Sequence, residues 1–379
     1  MSIHQKFRLS GSTLLANGEI QAATLVLENG LITEVQPYLD QNADMQIAGV
    51  IVPGYIDLQV NGGFGFDFTA DPGNVTACAA RLPETGVTGF LPTVITSPFE
   101  NYPAAYAKIR TAQADERGSR ILGIHLEGPY LSPQRKGAHH LDYIRPIDLD
   151  EISTWADTGL LTLVTLAAEL PGGFQAVQSL KKQGVIVSIG HTDATCEQTM
   201  QAIEHGVSWG THLYNAMRPF SHREPGVIGA LLVADIPCGI IPDGIHCHPE
   251  ALRLAFRAKG ANNLTLVTDA MQAMGGLPGQ YILGGTPVTV TSQDARLADG
   301  TLAGSILSMD AAVRNMIAFT GCSLAEAVQM ASSTPARVLG LQDRFGAIQA
   351  GYQADLTVLD PELHVAATFI NGRLEYRRK

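Results

Sequence analysis

Four side chains able to hold a metal ion or move a proton, Glu127, His191, His212 and Asp269, each sit at the C-terminal end of a short apolar run. One carboxylate and two imidazoles from three separate segments match the ligand set of a catalytic zinc-type site, whose fourth position stays open for water. A second carboxylate nearby can take the proton of that water. Each residue alone has a plainer reading. A histidine at a strand end usually packs or hydrogen-bonds, and an aspartate there often caps the next helix. Four such residues in equivalent positions point instead to metal-assisted hydrolysis at a shared mouth.

The equivalence of those positions comes from a repeat. Between Val50 and Met271 the chain presents eight apolar runs, each ended by Gly, Pro or a polar residue and followed by a helix-like stretch. They span 51–63, 87–97, 120–130, 160–170, 185–195, 207–217, 238–249 and 263–271. Near-continuous apolar runs alternating with amphipathic stretches predict parallel strands covered on both faces. Eight of them predict an α/β fold closed as a (β/α)8 TIM barrel, with reacting groups at the C-terminal strand ends. Helices are predicted over 74–86, 101–114, 174–184, 196–206 and 249–260. Two more at 306–319 and 323–340 would close the barrel after a hairpin excursion at 281–302. Both flanks alternate with period two and carry the turns Ala16-Asn17-Gly18, Glu28-Asn29-Gly30 and Asn371-Gly372, the pattern of hairpins. Neither flank is large enough to fold alone. Residues 1–51 and 346–379 are therefore expected to build one small β-sandwich domain beside a catalytic barrel of residues 52–345.

Composition narrows the function classes. At 379 residues and 45% hydrophobic content, the chain can bury a barrel-sized core. Its apolar runs fall short of the ~18 residues that a membrane span needs. The N-terminal MSIHQKFRLSGSTLL has no signal-peptide core, so a cytoplasmic location and no membrane partner are expected. Five cysteines, odd in number and unclustered, argue against a disulfide framework. With 25 basic against 36 acidic residues, a net charge of −11 and one basic run at Arg377-Arg378-Lys379, nucleic acid is not an expected partner. A small anionic ligand would need a local basic pocket.

Five motifs, in this order and spacing, resemble the N-acetylglucosamine-6-phosphate deacetylases of the amidohydrolase superfamily: His125-Leu126-Glu127-Gly128-Pro129, Gly190-His191-Thr192-Asp193-Ala194-Thr195, Thr211-His212-Leu213-Tyr214-Asn215-Ala216-Met217, Asp243-Gly244-Ile245-His246 and Val267-Thr268-Asp269-Ala270. The likeness extends over essentially the whole chain, including the split terminal domain. It implies that Glu127, His191 and His212 hold the metal. Gln59-Val60-Asn61 stands where many amidohydrolases have His-x-His, and the fourth run, LVTLAAEL, lacks the Lys that bridges a second ion there. Neutral amides are poor ligands for transition metals, so one divalent ion per subunit is expected: zinc first, with iron, cobalt or manganese as alternatives. Gln59 and Asn61 then hydrogen-bond behind the metal ligands, or simply satisfy buried backbone groups. His125 shares the strand face of Glu127 and is assigned to interior packing.

The resemblance further implies that Asp269 is the general base and then the acid for the departing amine, and that His139, next to Ala138, polarises the amide carbonyl. Asn215, Ala216 and Arg223 would hold a phosphate, with Arg223 reaching in from a neighbouring subunit of a homodimer. His246 would contact a sugar hydroxyl, and Leu302-Ala303-Gly304 would line the sugar pocket. His246-Cys247-His248 has the spacing of a metal pair, but His248-Pro249 reads as a helix start. His248 and Phe64-Gly65-Phe66-Asp67-Phe68 depart from the family pattern and leave the sugar open. The implied reaction is hydrolysis of the acetamide of N-acetyl-D-glucosamine 6-phosphate to D-glucosamine 6-phosphate and acetate. The galactosamine epimer is the alternative. A non-catalytic sugar-phosphate sensor or a cyclic-amide hydrolase is disfavoured by the complete acid–base set and by the missing His-x-His.

Overall fold

The computed structural model describes residues 6–115 and 117–379. The first five residues of the N-terminal segment read above for a signal peptide lie outside it. Eight parallel strands follow one another around the barrel in sequence order: β1 (Tyr55–Val60), β2 (Val87–Ile95), β3 (Ile124–Glu127), β4 (Leu161–Leu166), β5 (Ile186–Ile189), β6 (Trp209–Gly210), β7 (Cys238–Ile240) and β8 (Leu264–Leu266). All eight fall inside the eight apolar runs. Every residue of β1, β2 and β3 is buried, which is why these strands read as continuous apolar stretches and not as alternating ones.

The ladder is continuous from β1 to β8, with register shifts between β1 and β2 and between β3 and β4, but no ladder joins β8 back to β1. The seam is closed just above the strands by an isolated bridge between Val60 and Ala270. Backbone bonds from Asp269 N to Gln59 O (2.9 Å) and from Asn61 N to Ala270 O (2.8 Å) reinforce it.

The strands of both chain ends form one mixed sheet of seven. Its order is Arg373–Arg377, Val365–Ile370, Leu356–Leu359, Met45–Pro53, Phe7–Leu14, Ile20–Glu28, Leu31–Gln36. The last strand is met by the 351–353 segment, with Gly351 N bonded to Ile32 O and Ile32 N to Tyr352 O, so the sheet curls over its own core of Leu9, Leu25, Leu27, Ile32, Leu356 and Phe369. Asp355 ties this sheet to the barrel through Arg120, Nε to Oδ2 2.8 Å.

Helices occupy Asn101–Gln113, Gly173–Lys182, Cys196–His205, Pro249–Lys259 and Met309–Thr320, close to expectation. Other stretches depart from expectation. The 74–86 stretch is helical only over Val75–Ala79 and then tightens into a 3-10 turn, Leu82–Thr85, because Pro83 cannot continue an α-helix. The 323–340 stretch breaks at Ser332 into Leu324–Ala331 and Ser333–Val338. Gly226–Val233, not foreseen as a helix, is apolar almost all round and so offers no amphipathic period. The excursion is a three-stranded antiparallel flap, Gly279–Leu283, Thr286–Val290 and Ala295–Arg296, with its own small core around Leu283, Val288 and Ala295. Among the described residues, no helix is long and apolar enough to cross a membrane, and all five cysteines are free.

Candidate active site

Glu127 ends β3, while His191 and His212 each lie two residues beyond the ends of β5 and β6. Their ligand atoms converge: His212 Nε2 is 3.0 Å from Glu127 Oε1 and 3.1 Å from His191 Nε2, and His191 Nε2 is 3.2 Å from the same carboxylate oxygen. Ligands about 2.0–2.1 Å from one tetrahedral ion stand about 3.3 Å apart, so the donor set fits a single divalent metal. The environment of His191 supports the fit. Its Nδ1–H donates to the Arg135 carbonyl at 2.9 Å, which leaves the Nε2 lone pair facing the cluster. Burial would raise the Glu127 pKa, but the hydrogen bonds and charge of His191 and His212 hold the carboxyl well below its usual range.

His139 stands at the margin of this set. Glu127, His139 and His191 lie within 4.8 Å of one another, yet His139 Nε2 is 3.9 Å from Glu127 Oε2, farther than His212 is from the carboxylate. Its Nδ1 meets Thr96 Oγ1 at 2.8 Å, and burial holds the ring's pKa down to about 3.

Asp269 closes the cluster from the barrel seam. Gln59 Nε2 donates to both Glu127 Oε1 (3.0 Å) and Asp269 Oδ1 (3.1 Å), and Asn61 Nδ2 donates to the same Asp269 Oδ1 at 2.7 Å. These bonds leave Gln59 Oε1 and Asn61 Oδ1 buried without a hydrogen-bond partner. An unmet buried acceptor costs about 1–3 kcal/mol, and flipping either amide would aim its oxygen at a carboxylate instead. The amides are thus committed to donating, with Asp269 Oδ2 left free of both. Burial, then the charge of Glu127, pushes the Asp269 pKa up to about 6.

A cavity of about 200 Å³ opens over these groups. It is lined by Asn61, Glu127, His139, His191, His212 and Asp269, and by the further expected residues Ala138, Asn215, Ala216, His246, Leu302 and Gly304. Ala303 is fully buried and packs into the flap core instead. Gly304 holds φ +63°, where a Cβ would come within 2.9 Å of the Asp269 carbonyl oxygen. His246 is fixed by Asp243, with Nδ1 to Oδ2 2.6 Å.

Among the described residues, no lysine or arginine lines the cavity. Arg223 is exposed, in a turn closed by Ser221 and Glu224. Phe64, Phe66 and Phe68 do not line the cavity either, and Phe64 packs under the Arg81 guanidinium, 4.1 Å from the ring centre. His248 caps the helix Pro249–Lys259, accepting from Glu250 N at 3.2 Å. His125 is fully buried, between the Leu58 carbonyl (3.0 Å) and the Thr165 hydroxyl (2.8 Å).

Sequence reasoning missed several supports. Glu169, in the fourth run, accepts from the Thr192 hydroxyl (2.6 Å) and from Asp193 N (2.7 Å), bracing the loop that carries His191. Asp57 crosses the seam to Thr268, the neighbour of Asp269. A lone carboxylate inside an apolar run was the available signal for each. Backbone strain had no such signal: His191, His212, Tyr214, Ala216 and Asp269 all adopt positive φ, a conformation that costs about 1–3 kcal/mol for ordinary residues and clusters where function demands it.

The amidohydrolase family matches residues 50–374. An N-acetylglucosamine-6-phosphate deacetylase of Bacillus subtilis is 43% identical over 338 residues, covering 87% of this chain and 85% of the relative. An N-acetylgalactosamine-6-phosphate deacetylase of Escherichia coli O157:H7 is 38% identical, covering 95% of this chain and 97% of the relative. The crystal structure of N-acetylglucosamine-6-phosphate deacetylase from Pasteurella multocida superposes with a TM-score of 0.93 at 33% identity, covering 99% of this chain and 100% of that one. With its family match, its barrel and its convergent donor set, the chain belongs to the amidohydrolase family, among the N-acetylglucosamine-6-phosphate deacetylases.

Proposed function

We propose that this protein hydrolyses the acetamide of N-acetyl-D-glucosamine 6-phosphate to D-glucosamine 6-phosphate and acetate. The observation that carries the reading is the joining of the donor set Glu127, His191 and His212 to Asp269 through Gln59 and Asn61 in one cavity. A divalent metal goes with the family and the donors. Zinc is our assignment; Glu127, His191 and His212 would hold it, and it would supply a lowered water pKa and stabilisation of the oxyanion.

The chain's own groups divide the remaining work. Asp269 Oδ2, free of the amide donors, takes the proton from the attacking water and returns it to the amine as the C–N bond breaks. Burial and the charge of Glu127 raise the Asp269 carboxyl's proton affinity, the direction a group that must accept a proton needs. His139, held through Nδ1 against the Thr96 hydroxyl, polarises the acetamide carbonyl when its ring presents a proton on Nε2. His246 and Asn215 face the sugar.

The cavity lacks a cation of its own chain, although the substrate carries a phosphate. We assign that charge to Arg223 of a second subunit in a homodimer, with the Asn215-Ala216 backbone as partner. Five free thiols fit a reducing, cytoplasmic setting.

The galactosamine epimer is the second reading, favoured by the identity to the Escherichia coli relative. Acetate release by metal-loaded protein from both N-acetylhexosamine 6-phosphates, side by side and with a chelated control, tests both. Chelator-sensitive turnover is expected, with the higher kcat/KM for the glucosamine substrate. A higher value for the galactosamine substrate selects the epimer, and no turnover of either refutes the reaction.

A further inference from the structure

Asp193 lies two residues beyond His191, and its carboxylate gathers two arginines from other loops. Oδ1 accepts from Arg135 Nε at 2.8 Å and Oδ2 from Arg218 at 2.8 Å, while Arg218 Nε also donates to the Asp193 carbonyl at 2.7 Å. Each arginine belongs to a different part of the site. Arg135 presents the carbonyl that orients the metal-facing ring of His191, and it precedes the Gly137 to His139 turn, where a Cβ on Gly137 would come within 3.0 Å of that ring. Arg218 follows Asn215 and Ala216, is hydrogen-bonded through its backbone to Thr192 O (3.1 Å), and stands 3.8 Å from Glu224, the neighbour of Arg223.

We propose that Asp193 is a positioning residue that couples the metal end of the site to its phosphate end. The side chains of Asp193, Arg135 and Arg218 are 28%, 30% and 30% exposed. A network of three partly buried charges can add stability, but stability alone does not explain why its arms end at these two places. Its location explains it better: one carboxylate sets the carbonyl behind His191 and the strut leading to the Arg223 turn. The phosphate half of the inference rests on the proposed reaction. The metal half does not.

The test uses purified full-length protein and two readouts. The first is zinc affinity in competition with a chromophoric chelator, without substrate. The second is the ratio of kcat/KM for N-acetylglucosamine with and without its 6-phosphate. Asp193→Ala is expected to weaken zinc binding about 10-fold, within the range seen when groups behind a metal ligand are removed, and to lower the phosphate preference. Arg135→Met should affect zinc affinity alone, and Arg218→Met phosphate preference alone. Should Asp193→Ala not fold, these two variants carry the test. Unchanged zinc affinity and preference, or a loss of thermal stability with neither readout moved, would overturn the proposal. Inactivity of the wild type on both sugars would sink the reaction while leaving the zinc readout to decide the role of Asp193.

Discussion

Replacing Asp57 with Asn should change how stability depends on pH, by an amount that follows from its surroundings. The carboxylate is buried on β1, where Oδ2 accepts from the Thr268 hydroxyl at 2.6 Å and Oδ1 from the backbone N–H groups of Gln59 (3.2 Å) and Thr268 (3.3 Å). Burial, only partly offset by these bonds, pushes its pKa from 3.8 up to about 7. Below 3.8 the folded and unfolded chains both carry the proton, and the group has no effect. Between the two values the folded chain keeps the proton while the unfolded chain sheds it, so stability falls as pH rises. Above about 7 both are ionised and the cost is fully expressed. At about 1.36 kcal/mol per pH unit, the whole fall is about 4 kcal/mol. Asn mimics the protonated acid: its oxygen can keep the two backbone donors, and its amide N–H can donate to the Thr268 oxygen. Urea unfolding of wild type and Asp57→Asn at pH 5, 6, 7 and 8 should therefore diverge, the variant gaining about 3 kcal/mol relative to wild type across that range. Parallel stability curves would refute both the buried-acid assignment and its sign.

Asp269→Asn should fold and keep its metal stoichiometry but lose about 10²–10⁴-fold in kcat, the usual contribution of a proton-transfer group; near-normal turnover would remove Asp269 from the mechanism. The double change Gln59→His with Asn61→His exchanges two amide donors for two metal ligands, and elemental analysis is expected to find one metal ion per chain in the wild type and two in the double variant. Arg223→Ala should raise KM for the phosphorylated sugar with little effect on kcat for the unphosphorylated one. Mixing inactive Asp269→Asn subunits with Arg223→Ala subunits should return activity to about one quarter of the sites, because half the dimers are then mixed and each mixed dimer has one intact site. No recovery on mixing would show that Arg223 does not act across the interface.

The parts of the site legible in the sequence were those tied to regular structure. Parallel strands buried on both faces leave an unbroken apolar run, and Glu127, His191, His212 and Asp269 stand where such runs end. Gln59 and Asn61 were legible for the same reason, although which oxygen of Asp269 they would grip was not. Irregular backbone hid the rest. Nothing in the letters Leu302-Ala303-Gly304 says that the middle residue turns into the flap while its neighbours face the cavity, since a turn has no period to read. Asp57 was visible as an anomaly within an apolar run, but its partner Thr268 lies 211 residues away. Asp193 lies within the Gly190-His191-Thr192-Asp193 motif, yet the arginines that give it meaning come from two other loops.

The unladdered seam imposes an order on how the site can come into being. Glu127, His191 and His212 come from the continuous middle of the barrel, so the donor set exists once residue 212 has been made. Gln59 and Asp269, 210 residues apart, meet only when the first and last strands come together. Contacts so distant in sequence are the slow ones in folding. A half-built barrel would therefore carry the metal donors with no proton acceptor beside them, and regain of turnover is expected to mark ring closure more faithfully than regain of metal. In a circular permutant opened between β4 and β5, with the native termini linked, Gln59 and Asn61 would enter the chain after Asp269 but before Glu127, and that order would reverse: Asp269 would have its amide partners before the metal ligands were gathered.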